Sequence, residues 1–290
     1  MNSTRPEAAP LADILEFRHP WDKAAAGWNS HAAVIHEWLA EATAAMLAAA
    51  RIGPGVRVLD IAAGSGDQTL DIARCVGPRG HVLATDVSAA ILTLARDNAR
   101  AAELHNIDTR VADAQALGLE GADFDAAVSR LGLMFCEVPL DALREARAAL
   151  KPGCRFSALV FSQPQHNPCL GVLMSTALRH AGLPPRSPYA PGTLMSLGEP
   201  GLLARLLHSA GFTGIEMRTI SAPFCWPTSR DYVDFVRTSG TPIMEILAPL
   251  PAAAQRAAWD DMAAQLKVFD TPTGWVGPNE LLLCAAAAPL

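Results

Sequence analysis

Val56-Arg57-Val58-Leu59-Asp60-Ile61-Ala62-Ala63-Gly64-Ser65-Gly66-Asp67-Gln68-Thr69 is the stretch from which the fold can be read. An apolar, β-branched run ends in a carboxylate and passes through small residues with two glycines. It then opens a helical pattern at Leu70, Ile72, Ala73 and Val76. The order is strand, glycine turn, helix. Glycines in such a turn leave the backbone open to a ligand and tolerate dihedrals that other residues resist, so the turn is a candidate ligand cradle. A dinucleotide cradle has a third glycine for close helix packing, and here that position is Thr69. Asp60, four residues before Gly64, would repel a pyrophosphate but could hold an ammonium group. Both features disfavour a nicotinamide oxidoreductase.

Working outward, Gly77-Pro78-Arg79-Gly80 marks a turn and His81–Asp86 a second strand that also ends in an acid. An acid at the end of the second strand of a doubly wound sheet is placed to accept the two hydroxyls of a ribose. Ser88 can cap the next helix, with Ile91, Leu92, Ala95 and Ala99 on its inward face. Ile107–Val111 and Phe124–Ser129 read as the third and fourth strands. A helix carrying Leu140, Leu143, Ala146 and Leu150 is closed by Lys151-Pro152-Gly153 before a fifth strand, Arg155–Phe161.

Upstream, residues 1–20 are polar and proline-bearing and are expected to form a mobile arm. Ser30 is a plausible N-cap for a helix His31–Ala50, with Ile35, Trp38, Ala42 and Met46 at helical spacing. Downstream, residues 163–200 are rich in proline and glycine and are expected to be a long loop walling the substrate pocket. Glu199–Ala210 reads as a helix stopped by Gly211, and Gly214–Ile220 as a sixth strand. A second insertion, 221–279, has helical stretches at Ser229–Thr238 and Ala252–Val268. Glu280–Ala287 supplies a last, apolar strand. Seven strands alternating with helices make an α/β, doubly wound, Rossmann-like sheet in one domain.

The quoted stretch resembles motif I of the class I S-adenosylmethionine-dependent methyltransferases, (V/I)LD-x-x-x-G-x-G. Its closest flavour is the ubiquinone/menaquinone-biosynthesis type and its small-molecule relatives. The resemblance continues through the acid at Asp86, Ala112-Asp113-Ala114 and the helix before Lys151-Pro152-Gly153, and so covers about residues 21–162. It implies a strand order 3-2-1-4-5-7-6 with the last strand antiparallel, a lid at 1–50, a cofactor core at 51–162, and substrate-cap insertions at 163–200 and 221–279. It also implies that Asp60, Ala62, Gly64 and Gly66 cradle the methionine part of S-adenosyl-L-methionine. Asp86 and Val87 would take the ribose and adenine side, Asp113 and Ala114 the adenine, and Ser129 would lie near the amino-acid end. S-adenosyl-L-homocysteine would be the product. In this family a tryptophan-bearing N-terminal segment folds over the cofactor, which sets a lid role for Trp21 and Trp28 against ordinary packing.

Methyl transfer from a sulfonium needs orientation and exclusion of water more than covalent catalysis. If a base is used, His31, His36 and His166 are the candidates, each against a structural role. Arg130, at the carboxyl edge of the fourth strand, is set to hold an anionic acceptor or to pair with Glu137 or Asp141. Tyr189 in the proline-rich insertion either touches substrate or stiffens its loop.

The net charge of −6 has no basic cluster against it, which argues against nucleic acid. Segment 129–135 lacks the Asn/Asp/Ser-Pro-Pro-aromatic sequence of enzymes that methylate base amino groups. Six scattered cysteines with no C-x-x-C pair suggest neither a metal site nor a disulfide framework. The longest uncharged apolar run, Leu281 to Leu290, is too short to span a bilayer, and the first twenty residues lack a signal-peptide core. The expectation is a cytoplasmic enzyme, with a homodimer as an open possibility, that methylates a small, partly apolar metabolite by in-line displacement. The alternatives are a quinone-ring C-methyltransferase at the membrane surface and a non-catalytic S-adenosylmethionine-binding regulator.

Overall fold

The computed structural model describes residues 11–290, with side chains from Trp21 onward. The expected arm therefore falls partly outside the described residues, at 1–10. Residues 11–20 belong to helix α1 (Leu11–Ser30), which corrects that reading for the second half of the arm. Ser30 does not cap the next helix. Its hydroxyl donates back to the Gly27 carbonyl at 2.9 Å, ending α1, and α2 begins at Ala32 and runs to Ala49.

From there to Phe161 the chain alternates as its periodicity requires. Strands β1 (Arg57–Ile61), β2 (His81–Asp86), β3 (Ile107–Val111) and β4 (Phe124–Arg130) are separated by α3 (Asp67–Val76) and α4 (Ala89–Ala101). Helix α5 (Pro139–Ala149) leads to β5 (Leu150–Phe161), whose start takes in Lys151-Pro152-Gly153 as an irregular stretch, with Gly153 at φ 75° and a shift of register against β4. Ser88 caps α4 as its position suggests, its hydroxyl accepting the Ile91 N–H at 3.1 Å. Ile91, Leu92, Ala95 and Ala99 are the buried face.

The proline-rich segment after β5 is a long loop only in its second half, residues 181–201. Residues Pro168–His180 form α6, with Pro168 in the first turn, where a missing N–H costs nothing. After α7 (Leu202–Ser209) come β6 (Thr213–Ser221) and β7 (Phe224–Trp226). The cap helices α8 (Ser229–Ser239), α9 (Thr241–Leu247) and α10 (Ala252–Leu266) follow. Two short strands, β8 (Asp270–Thr271) and β9 (Gly274–Gly277), precede β10 (Glu280–Ala287). The main sheet has the order β3-β2-β1-β4-β5-β10-β6, so the last strand inserts between the fifth and sixth. Pairs β1–β2, β1–β4, β2–β3 and β4–β5 are parallel, and β10 is antiparallel to both neighbours. That is the expected 3-2-1-4-5-7-6 topology. The second sheet, β7-β9-β8, is small and was not legible in the sequence.

Strands β1 and β4 are buried on both faces, as parallel strands covered by helices must be. The cap is tied to this core by a row of aromatic rings. Trp38 on α2 lies 4.5 Å from Phe224, Phe224 lies 4.9 Å from Tyr232, and Tyr232 stacks on the fully buried Trp275 at 4.6 Å between centroids. The polar ends of the row are satisfied, since Trp38 donates to the Ala222 carbonyl and Trp275 to the Leu266 carbonyl, both at 2.7 Å. Among the described residues no helix is long and apolar enough to cross a membrane.

Candidate active site

β1 pairs with β2 on one side and β4 on the other, so the connections leaving β1 and β4 diverge and open a crevice at the carboxyl ends of the strands. A cavity lies there. Its walls are the turn Ala62–Ser65 with Asp67 and Gln68, then Asp86 and Val87 after β2, Ala112–Gln115 after β3, and Arg130–Gly132 with Phe135–Glu137 after β4. Trp21 and Trp28 from α1, with Ala32, Ile35 and Leu39 from α2, close the opposite side. Both tryptophans therefore face the cavity, and Trp21 packs edge-on against Phe135 at 4.8 Å. None of residues 163–200 lines it, which corrects the expectation that the first insertion walls the pocket.

The cradle turn is held in an unusual backbone state. Ala62 has φ 57°, Gly64 φ 60° and Gly66 φ 90°. Ala62 carries a side chain in the left-handed region, where a residue with Cβ is disfavoured by about 1 kcal/mol or more. Its methyl lies against Gly132, where an added Cβ would sit 2.4 Å from that of Ala62. Gly66 does not reach the cavity wall. It lets α4 approach, since a Cβ there would lie 3.1 Å from the Ala95 methyl.

Asp86 accepts the Gly64 N–H on Oδ2 and the Ser88 N–H on Oδ1, both at 3.0 Å, and faces the cavity. Burial raises its pKa. Ser88 also donates to Asp22, which ties α1 to the rim of the cavity. Asp113 lines the cavity and accepts the backbone N–H of Gln115 at 2.9 Å. The Gln115 side chain bridges onward, its Oε1 accepting the Val138 N–H at 2.6 Å.

Asp60 is placed differently from expectation. It is fully buried and absent from the cavity wall. Its two oxygens accept Gln68 Nε2 at 3.1 Å and Thr69 Oγ1 at 2.6 Å. Burial pushes its pKa up to about 6, against the opposing pull of those two hydrogen bonds. Asp60 thus braces the first turn of α3 and positions Gln68, and direct contact with a cofactor ammonium is excluded in this arrangement. Ser129 is likewise beneath the wall. It is buried behind Gly132, and its hydroxyl has no partner among the described residues.

Where Asp60 and Ser129 are withdrawn, Asp67, the first residue of α3, and Arg130 put opposite charges on the cavity wall. Arg130 Nη2 donates to Asp67 Oδ2 at 2.6 Å and Nη1 to Thr43 Oγ1 at 2.8 Å. The two side chains are 6% and 14% exposed, so the pair is largely out of water. His36, half exposed on α2, reaches Asp67 Oδ1 through Nδ1 at 3.0 Å. Neither of the expected partners of Arg130, Glu137 or Asp141, takes part. The other two candidate bases lie elsewhere. His31 donates Nδ1–H to the Gly27 carbonyl at 2.9 Å and packs 5.2 Å from the Phe235 ring, a joint between α1 and α2. His166 pairs with Glu280 Oε1 at 2.8 Å, and neither histidine lines the cavity. Tyr189 is also absent from the wall. Cys136, which does line it, stays a thiol at neutral pH, since burial and the Asp113 carboxylate push its pKa to about 12. It offers no ready nucleophile.

Sequence reasoning missed Asp67, Gln68, Gln115, Phe135, Cys136 and Glu137. For Asp67 a signal was available, because an acid directly after the second glycine of such a turn opens the helix at the cavity floor.

A family model described as a methyltransferase domain matches residues 58–153. The ubiquinone/menaquinone biosynthesis C-methyltransferase UbiE of Ectopseudomonas mendocina is 38% identical over 126 residues, 43% of this chain and 49% of that protein. The chain thus spans about half the length of the curated relatives it matches. Among solved structures, the YcgJ protein of Bacillus subtilis superposes with a TM-score of 0.58 at 15% identity, over 86% of this chain and 99% of its own. The phosphoethanolamine N-methyltransferase 2 of Haemonchus contortus, solved with phosphomonomethylethanolamine and S-adenosylhomocysteine, superposes with a TM-score of 0.57 at 14% identity. That match covers 90% of this chain and 58% of the other. At these identities the structural likeness speaks for the fold. Residues 58–153 thus match a methyltransferase domain, and the sheet around them has the Rossmann-like strand order of solved methyltransferase structures.

Proposed function

We propose that the chain transfers a methyl group from S-adenosylmethionine to a small, partly apolar acceptor. The observation that carries this reading is the shape of the charge in one cavity. Asp86 offers carboxylate oxygens at the carboxyl end of β2, and the Arg130–Asp67 pair stands across the cradle turn. A ribose diol suits the first, and an amino-acid zwitterion suits the second, its carboxylate toward Arg130 and its ammonium toward Asp67. The apolar wall of Val87, Ile91 and Ala112, with Asp113 at its edge, suits an adenine ring. In this assignment Asp67 takes the ammonium role first given to Asp60. Gly64 presents no side chain to the cofactor, and its N–H holds Asp86 in place.

Bound there, S-adenosylmethionine would supply an electrophilic methyl on a sulfonium. The chain's own part is to align an acceptor with that methyl and to keep water out. Trp21, Trp28, Ile35, Leu39 and Phe135 provide an apolar surface for the acceptor, and α1 and α2 act as the lid. No histidine lines the wall among the described residues, which favours an acceptor that attacks without a dedicated imidazole base.

Quinone-ring C-methylation is the second reading, favoured by the name of the matched relative and by the apolar residues of α1 and α2 on the cavity wall. The test is to incubate the protein with methyl-labelled S-adenosylmethionine and a cell extract and to follow label into soluble, lipid, RNA and protein fractions. Label in a soluble metabolite supports the first reading, and label in the lipid phase the second. Tight binding of S-adenosylhomocysteine by calorimetry with no label in any fraction, across extracts from several growth conditions, would overturn both and leave a cofactor-binding regulator.

A further inference from the structure

A second cavity, of about 900 Å³, lies away from the strand ends, between α1 and the cap helices α8, α9 and α10. Helix α1 divides the two cavities, Trp21 and Trp28 facing the first and Lys23 the second. Its floor is apolar, built by Met244 and Leu247 of α9 and by Trp259 of α10, which is 7% exposed. Among the described residues, three cations, Lys23, Arg237 and Arg256, stand around this floor against one carboxylate, Glu245. Arg237 is only loosely compensated, 3.9 Å from Asp234, and Arg256 has no ion-pair partner among the described residues. Burial raises the pKa of Glu245 and the nearby Lys23 opposes that rise.

Two further features point to an anion. Thr241 lines the cavity, is 4% exposed, and its hydroxyl has no hydrogen-bond partner among the described residues. A buried hydroxyl left unsatisfied carries its full desolvation cost, and a ligand oxygen at that point would relieve it. Helix α10 begins toward the cavity with Ala252, Gln255 and Arg256, has Pro251 as an N-cap without a side-chain hydrogen bond, and carries no acid in its first turn. Its positive end therefore has no acid of its own first turn against it.

We infer that this second cavity binds a single-chain anionic amphiphile, its apolar chain on the Met244–Leu247–Trp259 floor and its acidic head among Arg237, Arg256 and the Thr241 hydroxyl. The recognised chemistry is a carboxylate or phosphate head on an unbranched apolar body. The cavity's apolar floor makes a fully hydrated anion a poor occupant, and its cations make an uncharged chain a poor one.

The test is calorimetric titration of the full chain with decanoate below its micellar range, with and without saturating S-adenosylhomocysteine. Decanoate should bind one to one, more weakly as salt rises, with an affinity unchanged by S-adenosylhomocysteine. Decanol and decyltrimethylammonium should bind at least tenfold more weakly. The double variant Arg237→Glu, Arg256→Glu changes two exposed side chains and should fold as the parent does, with at least a tenfold loss of decanoate affinity. Thr241→Val should weaken decanoate severalfold while raising the melting temperature of the free protein, a pairing that loss of fold would not produce. Decanoate binding that persists in the double variant, or that competes with S-adenosylhomocysteine, would overturn the assignment. So would co-sedimentation with phosphatidylglycerol vesicles in the absence of decanoate binding, which would make these cations a membrane-facing patch.

Discussion

The core built on β1–β5, residues 57–161, and the cap segments, residues 163–200 and 221–279, solve the same packing problem with different materials. In the core the site is built from backbone. Left-handed turn residues, strand ends and a capped helix place Asp86, Asp67 and Arg130 within one crevice. In the cap the structure is built from side chains, with a row of rings from Trp38 to Trp275 and short helices opened by prolines. The first kind of construction fixes positions to fractions of an ångström and tolerates few substitutions. The second fixes the contact between elements and leaves surface positions free. Substitutions should therefore be sharply felt at the strand ends and mildly felt in the cap, and the comparison can be broken by any pair of variants that reverses that ranking.

The largest effect is expected at Asp86. Removing its carboxylate by Asp86→Ala deletes both ribose contacts of the proposed cofactor site and the acceptor for the Gly64 and Ser88 N–H groups. Two charge-assisted hydrogen bonds of about 2 kcal/mol each correspond to roughly a thousandfold loss of S-adenosylhomocysteine affinity. Calorimetry on a variant whose circular dichroism matches the parent is the measurement. An affinity within threefold of the parent would remove Asp86 from the ribose role.

Asp60 tests whether an acid at a strand end in the core serves the ligand or the fold. Its pKa is raised to about 6 by burial, so the folded chain holds a proton that the unfolded chain releases near pH 4. Within that window the native state binds more protons, and its stability falls as pH rises from about 4 to 6, by about 3 kcal/mol in all. Asp60→Asn cannot ionise and should remove that part of the slope, while losing one of the two hydrogen bonds from Gln68 and Thr69 at every pH. Denaturant unfolding of parent and variant from pH 4 to 7 gives the difference directly. Because Asp86 shifts in the same direction, the slope should shrink and not vanish. Parallel profiles would contradict the buried-carboxylate account.

These two acids also mark how far the sequence could be read. Both end a strand of the core, and local pattern made both look alike. β2, α4 with its Ser88 cap, β3 and β10 are found within their expected bounds, because period and capping are local properties. What separates Asp60 from Asp86 is the return of Gln68 and Thr69 over Asp60, eight and nine residues on, which depends on the path of the turn. The Arg130–Asp67 pair joins residues 63 apart, and no local pattern encodes it. In the cap the misreading has another cause. Pro168 and Gly171 read as loop punctuation, yet Pro168 occupies the first turn of α6 and a Cβ at Gly171 would meet nothing within 4 Å. Proline opens α9 in the same manner.

Gly132→Ala should be strongly disruptive in the core. The added carbon would lie 2.4 Å from the Ala62 methyl, and Ala62 cannot retreat without leaving its left-handed turn. A loss of about 2 kcal/mol in folding stability is expected, together with weaker cofactor binding. The matching cap variant, Gly171→Ala on α6, enters open space and should leave stability unchanged or slightly raised. Equal effects in the two would erase the distinction between the regions.

The smallest effect compares two helix caps of the same kind. Ser88 accepts the Ile91 N–H at 3.1 Å at the start of α4, and Thr228 accepts the Asp231 N–H at 3.2 Å at the start of α8. Replacing either by alanine should cost about 1 kcal/mol, since each leaves one helical N–H without its partner. Their effects on ligand binding should nevertheless differ. Ser88 also holds Asp22 of the lid helix, and its own N–H orients Asp86, so movement of this residue reaches the cofactor site. Thr228 touches neither. Ser88→Ala should therefore weaken S-adenosylhomocysteine severalfold and Thr228→Ala should leave it unchanged, at matched losses of stability in denaturant. Because the folding cost is common to both variants, any difference in affinity isolates the lid tether, and its absence would show that α1 closes the cavity without help from the Ser88–Asp22 contact.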